Sequence, residues 1–445
     1  MAGYWREPVS DPLAEIDSLD FIECGRDAAT HFAFGTGYTN LNHGSYGTYP
    51  VEVRNVFRHY QERTEARPDA FVRYEYRTHL LDKSRQALAE YLKVPMENLV
   101  FVLNATTAFD TILRNIVFKP LDVVIGFASI YGSFENTLIY LTETTPVEFE
   151  KIEYTLPVSD DFICSAFESA VDHLRAKGKN PRIAIFDTIS SLPAARMPFE
   201  KITELCKKQK VLSCIDGAHA VGHFPLDLTR LDPDFFTSNC HKWLHVPRPC
   251  GMLYVPPRNQ HLLRTTLPTG FNFIPLSKRS SAVGDPSAFV SNFASVGTLD
   301  DNAYLCIKAA LEFRKKLHWS GFEGETAVMN YTRSLAQKGG QAVASILGTG
   351  LLDNESSTLI DCSMVNIRLP LNLRQIVDCT AQQGERIAQR IMKFMIVEYQ
   401  TAVNVYYYDG NWWVRLSAQV YNTLSDFELA GKQLLEICGR VKKNS

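Results

Sequence analysis

The sequence predicts an α/β protein: a large domain on a mostly parallel sheet, followed by a smaller C-terminal α+β domain. Three observations lead there. Between about residues 80 and 260, short apolar runs rich in β-branched residues alternate with longer amphipathic ones, the pattern of a sheet covered by helices. The strand-like runs are almost continuously apolar, which implies burial on both faces. The 445 residues also exceed one ordinary domain, so a large domain with a companion is expected.

Taken in order, residues 1–39 lack a clear period and are assigned to a segment packing on the small domain or the cleft. Residues 40–300 form the large domain, with LVFVLN, VVIGFAS, RIAIFD, VLSCID, FFTSN and GMLYV as candidate strands. Between two of these, PFEKITELCKKQK opens on Pro198, places Ile202, Leu205 and Cys206 on one face and ends in lysines, as a helix with a basic C-terminus does. Residues 301–445 read as the small domain. They begin with helical patterns over about 303–317 and 323–347, then continue with LIDCSMVNIRLP and a segment rich in tyrosine and tryptophan.

Composition narrows the function. Hydrophobic residues at 45% and charged residues at 21% are globular proportions. A net charge of -3 gives no electrostatic reason for a nucleic-acid or anionic-membrane partner, and no run approaches the length of a membrane span. The opening MAGYWREPVSDPLAEIDSLD is unlike a secretory signal or a transit peptide. Ten scattered cysteines with no CxxC pair read as reduced thiols rather than a disulfide framework. The expectation is a cytoplasmic enzyme with a small-molecule substrate and no metal.

Ligands of open α/β sheets collect beyond the carboxyl ends of the strands, and those positions are polar here. After LVFVLN, Thr106 and Thr107 stand at a helix start whose free N–H groups and positive dipole end suit a phosphate; the same threonines would also serve as plain caps. Asp216 and His219 follow VLSCI, and Lys242 follows FFTSN. A strand-end carboxylate with a later strand-end lysine is the pair pyridoxal phosphate requires. The amine bonds to the aldehyde, and the carboxylate keeps the ring nitrogen protonated so that the ring accepts electrons. Opposite charges about 4 Å apart at an effective dielectric near 20 attract by roughly 4 kcal/mol, enough to hold that proton.

The segments NLNHGSYGTYP, FDTISSLPAARMPF, CIDGAHAVGHFPLDL, DFFTSNCHKWLHVPRPCG and FASVGTLD, in this spacing, resemble the class V aminotransferase family. Within it the chain looks similar to a fungal subgroup containing the ergothioneine-pathway C-S lyase and the loline-pathway cyclase LolT. The resemblance implies a fold-type I pyridoxal-phosphate transferase fold with a mostly parallel seven-stranded sheet. It also implies a homodimer with active sites shared between subunits, and an amino-acid substrate that loses a group from Cα to give a quinonoid carbanion. Carried over residue by residue, it makes Lys242 the cofactor-linked lysine and Asp216 the partner of the pyridine nitrogen. His219 would lie beside the ring oxygen, with Thr106, Thr107, Asn239 and His241 around the phosphate. Thr298 would reach the other subunit's phosphate, and Tyr131 would lie over the cofactor as an acid or a packed aromatic. Arg415 would grip the substrate α-carboxylate, while Asn42, His43, Arg67 and Arg73 are further candidates for the substrate mouth. A LolT-like decarboxylating, cyclising reaction of alkaloid biosynthesis is expected ahead of C-S elimination from a cysteine-conjugate sulfoxide.

Two departures bear on this. Family members commonly have Pro-Arg-Gly after the lysine loop, but Arg248 is followed by Pro249, which removes an N–H and leaves loop or phosphate contacts by Arg248 in question. A cysteine desulfurase also needs a nucleophilic thiol on a mobile loop; Cys362 has roughly the position but lies in an apolar, strand-like run, as a structural thiol would. A catalytically silent scaffold would have lost the Lys242 and Asp216 pair, and both are present.

Overall fold

The computed structural model describes residues 11–278, 286–371 and 380–443. Helix α1 (Val51–Ala66) precedes a seven-stranded sheet. Its elements run β1 (Leu99–Val102), α2 (Ala105–Asn115), β2 (Asp122–Phe127), α3 (Gly132–Thr144), β3 (Glu148–Ile152), α4 (Asp160–Ala176), β4 (Asn180–Asp187), α5 (Phe199–Gln209), β5 (Leu212–Gly217), β6 (Phe235–Asn239) and β7 (Gly251–Tyr254). The spatial order is β1-β7-β6-β5-β4-β2-β3. Only β7 runs against its neighbours, β6 and β1. All six residues of β2 and all five of β6 are buried, as their continuous apolar runs require.

Helix α5 forms where PFEKITELCKKQK predicts it, with Ile202 and Cys206 buried and lysines in the last turn. Strand β3 is the one the sequence reading passed over. Its EFEKI alternates exposed and half-buried residues at the sheet edge, where charged side chains belong; such a segment carries no continuous apolar signal.

A second sheet follows the long helix α6 (Gly324–Leu347). It contains β8 (Met364–Arg368), and after α7 (Ala381–Tyr399), β9 (Asn404–Tyr408) and β10 (Asn411–Ser417), antiparallel in the order β8-β10-β9. Helix α8 (Leu424–Lys443) packs on α6. The chain's start joins this part: Ile22–Glu23 pairs with Leu317–His318, and Thr39–Asn40 with Thr401–Ala402. Among the described residues no helix is long and apolar enough to cross a membrane, and no cluster of three or more metal-ligating side chains occurs.

Strands β4, β5 and β6 are parallel, with Asp187, Asp216 and Thr237 side by side at their carboxyl ends. That edge positions the site.

Candidate active site

Lys242 stands on a single helical turn, Cys240–Trp243, directly after β6. Both carbonyls on its C-terminal side are tied down. Lys242 O accepts from His43 Nε2 at 2.5 Å, and Trp243 O accepts from the buried Arg314 at 2.8 Å. Arg314 also pairs with Glu325 of α6 and bonds Gly222 O. The Lys242 amine lies 3.2 Å from His219 Nε2. Burial, and then the Arg415 charge, push it down to about 8 despite the attraction of Asp216. A free-base fraction near neutral pH far above that of an ordinary lysine makes it a competent nucleophile for a carbonyl carbon.

Asp216 is the penultimate residue of β5, where its Oδ1 accepts the Ala218 N–H at 2.8 Å. Burial raises its carboxyl to about 6, while that hydrogen bond and the Lys242 charge pull the other way. Beside it in register lies Asp187, the end of β4, a residue the sequence reading did not single out. Burial, and then the Asp216 charge, raise the Asp187 carboxyl well above the usual range. It is therefore the protonated member, donating to Asp216. Ser129 Oγ donates to Asp187 Oδ2 at 2.9 Å, and Tyr154 OH donates to Ser129 Oγ at 3.1 Å. The one sequence signal was an aspartate ending an apolar run.

Helix α2 presents its N-terminus beside these strand ends. Asn104 caps it, accepting the Thr107 N–H and hydroxyl, so the cap is an asparagine rather than either threonine. Asn239 Oδ1 takes the Ala105 N–H. His241 Nδ1 lies 2.9 Å from Cys250 O and 3.1 Å from Cys250 N, which ties this ring edge to the Cys250 backbone; burial lowers its pKa to about 4, so the ring is neutral. Arg248 does make loop contacts, donating to Tyr46 O and Gly47 O.

Arg415 lies on the central strand β10 and is 1% exposed. Its guanidinium donates to Ser191 O at 3.0 Å and to Asn42 Oδ1 and Ser45 Oγ at 2.8 Å each, while Nε has no partner. Every one of these acceptors is neutral. Burial lowers its pKa to about 10. A desolvated cation without a carboxylate among the described residues is a ready site for an anion.

One expectation for the mouth needs correction. His43 is fully buried, with Nδ1 on Tyr421 OH and Nε2 on Lys242 O, so no ring nitrogen remains for a substrate. Asn42 Oδ1 accepts from Arg415, which sets this amide beside the guanidinium. Arg73 sits on an exposed π-helical stretch, Val72–Leu80, paired with Asp69; Arg67 caps the start of the adjoining helical turn. Tyr131 is 44% exposed at the start of α3, edge-on to Phe134. Thr298 is exposed in the loop before Asn302, lining a cavity of about 270 Å³ with Thr107. Cys362 is buried, its thiol donating to Met364 O, and burial pushes that thiol up to about 12. Cys379 lies outside the described residues.

The donor set fits pyridoxal phosphate. Lys242 offers an amine with a lowered pKa, Asp216 a strand-end carboxylate, and the α2 terminus with Thr106, Thr107 and His241 a neutral-to-positive cradle.

Comparison with known proteins agrees. The family Aminotransferase class-V matches residues 47–429. The chain is 37% identical to the L-cysteine desulfhydrase-like protein lolT2 of Epichloe uncinata over 94% of this chain and 95% of that one. It is 28% identical to the hercynylcysteine sulfoxide lyase of Schizosaccharomyces pombe, covering 93% and 98%. The cystine C-S lyase C-DES in complex with its product cysteine persulfide shares the fold with a TM-score of 0.71 at 18% identity, covering 90% of this chain and 97% of that one. The chain therefore belongs to the class-V aminotransferase family, whose members are pyridoxal-phosphate-dependent enzymes.

Proposed function

We propose that the chain reacts an amino acid at its α-carbon, with the substrate carboxylate on Arg415 and the cofactor on Lys242 and Asp216. The observation that carries this reading is the Arg415 guanidinium, buried among neutral acceptors. Bound pyridoxal phosphate supplies the electron sink for the bond broken at Cα. The chain's own residues do the rest. Lys242 moves a proton at Cα through its amine; Asp216, kept anionic by the proton of Asp187, leaves a proton on the ring nitrogen. The cradle of Thr106, Thr107, Asn239 and His241 holds the phosphate. Thr298 serves the phosphate of a second copy, which makes the working unit a homodimer.

For the fate of the substrate we favour a LolT-like decarboxylating cyclisation, because the likeness to the lolT proteins, at 37% identity, exceeds the 28% to the sulfoxide lyase; the lolT proteins' description as L-cysteine desulfhydrase-like weighs for elimination. Elimination of a sulfur group is the second reading. It is favoured by Arg415, because a carboxylate held by a desolvated guanidinium is stabilised against loss, and by Tyr131, half exposed and free to protonate a leaving group. Desulfuration through Cys362 is disfavoured by its burial and high thiol pKa. Mass spectrometry of the products decides. CO2 with a cyclised amine from a branched diamino-diacid supports cyclisation, whereas stoichiometric pyruvate and ammonia from a cysteine-conjugate sulfoxide establishes elimination. Borohydride reduction should place the cofactor label on Lys242; a label on another lysine ends both readings.

A further inference from the structure

Trp243, the residue after Lys242, is 1% exposed, and its indole Nε1 lies 3.1 Å from His219 Nδ1. An indole nitrogen donates and never accepts, so His219 Nδ1 must present its lone pair. His219 is buried and faces Lys242, Arg415, His223 and His43; burial and the nearby positive charges hold its pKa well below the ordinary range, and the ring is neutral. A neutral imidazole with a bare Nδ1 carries its proton on Nε2. That nitrogen is the one 3.2 Å from Lys242 Nζ. An N–H aimed at an amine needs the amine's lone pair.

The same logic locks the surroundings. Ser363 N–H donates to His223 Nε2 at 2.7 Å, so His223 carries its proton on Nδ1 and gives it to His219 O at 2.8 Å. The His223 ring lies 3.9 Å from the Trp243 indole, which holds the indole in its bearing.

We propose that Trp243 is a positioning residue: its indole N–H fixes His219 as the Nε2–H tautomer, and that tautomer keeps a hydrogen-bond donor against Lys242 Nζ. The catalytic consequence rests on Lys242 being the cofactor's anchor, but the tautomer does not. A donor facing Nζ disfavours its protonated form. Losing Trp243 lets His219 turn a lone pair to Nζ instead and favours the added proton.

The test uses the holoenzyme labelled with 15N-histidine, with the His219 signals assigned by His219→Gln. The wild-type spectrum should show a bare Nδ1 and a protonated Nε2, and Trp243→Phe should show mixed or inverted tautomers. An Nδ1–H signal from wild-type His219 overturns the proposal, and this arm needs no variant to fold. In Trp243→Phe with wild-type circular dichroism, the pH midpoint of the bound cofactor's visible absorbance change should rise by about half to one pH unit, the worth of about one hydrogen bond. Asp216 and Arg415, the other charges facing Nζ, are untouched by this change. An unmoved or lowered midpoint also overturns it. If Lys242 is not the anchor, the borohydride label appears on another lysine while the His219 tautomer still stands, so the two failures are distinguishable.

Discussion

Asp187 and Asp216 stand in direct register at the carboxyl ends of neighbouring parallel strands, two carboxyls side by side and both nearly inaccessible to water. Two buried carboxyls at this spacing do not both ionise, and burial together with the Asp216 charge leaves the proton on Asp187. Its hydrogen bond weakens Asp216 as a base, and a weaker base leaves the proton on the pyridine nitrogen. Asp187→Asn retains a donor toward Asp216 and an acceptor for Ser129, and should keep kcat/KM within about threefold. Asp187→Ala should lower it by about tenfold or more, the worth of a hydrogen bond to a charged group. Steady-state kinetics on both variants checks this.

Lys242 should show its lowered pKa directly. With the amine pushed down to about 8, the rate at which the cofactor-free protein combines with pyridoxal phosphate should rise with pH through about 8 and then level off. A lysine at the ordinary value of 10.5 would keep gaining free base well beyond that. Stopped-flow absorbance across the pH range distinguishes a plateau from a continued climb.

Arg415→Lys replaces a planar fork with a point charge and should raise KM for the amino-acid substrate by roughly tenfold to a hundredfold. An analogue lacking the carboxylate should react with wild type and variant at similar rates. A variant penalty of equal size on that analogue would show that Arg415 acts by holding the fold and not by holding the carboxylate.

The proposal that Thr298 serves the neighbouring subunit predicts that Lys242→Ala and Thr298→Ala complement each other. A mixed dimer carries one intact site and one doubly damaged site. Activity should return on remixing after dissociation, given that Thr298→Ala alone is strongly impaired. Absence of recovery in verified mixed dimers would place Thr298 in its own chain's site.

Gly47 has φ +67°, and a Cβ there would sit 1.8 Å from His241 O. Gly47→Ala therefore forces a left-handed backbone and pushes on the turn that carries Lys242. A loss of about 3 kcal/mol or more in unfolding free energy is expected by denaturant titration, with a matching loss of cofactor retention.

Local pattern alone placed Lys242 and Asp216 at strand ends, because buried parallel strands are written as continuous apolar runs and the first polar residue after each run marks the sheet's carboxyl edge. The helix ending in Lys207 and Lys208 was legible for the same reason, through its period and its charged last turn. Strand β3 was not, because an edge strand needs only one covered face and its charged residues erase the signal. The neighbours of the site residues also had to be seen in space. His43 and Lys242 are 199 positions apart, yet His43 Nε2 sits on the Lys242 carbonyl rather than at the substrate mouth. Arg415 draws Ser191, Asn42 and Ser45 from two distant segments. Whether a buried charge is neutralised, or a histidine nitrogen is free, depends on which groups the fold brings within about 3 Å, and residue spacing along a chain carries no record of that.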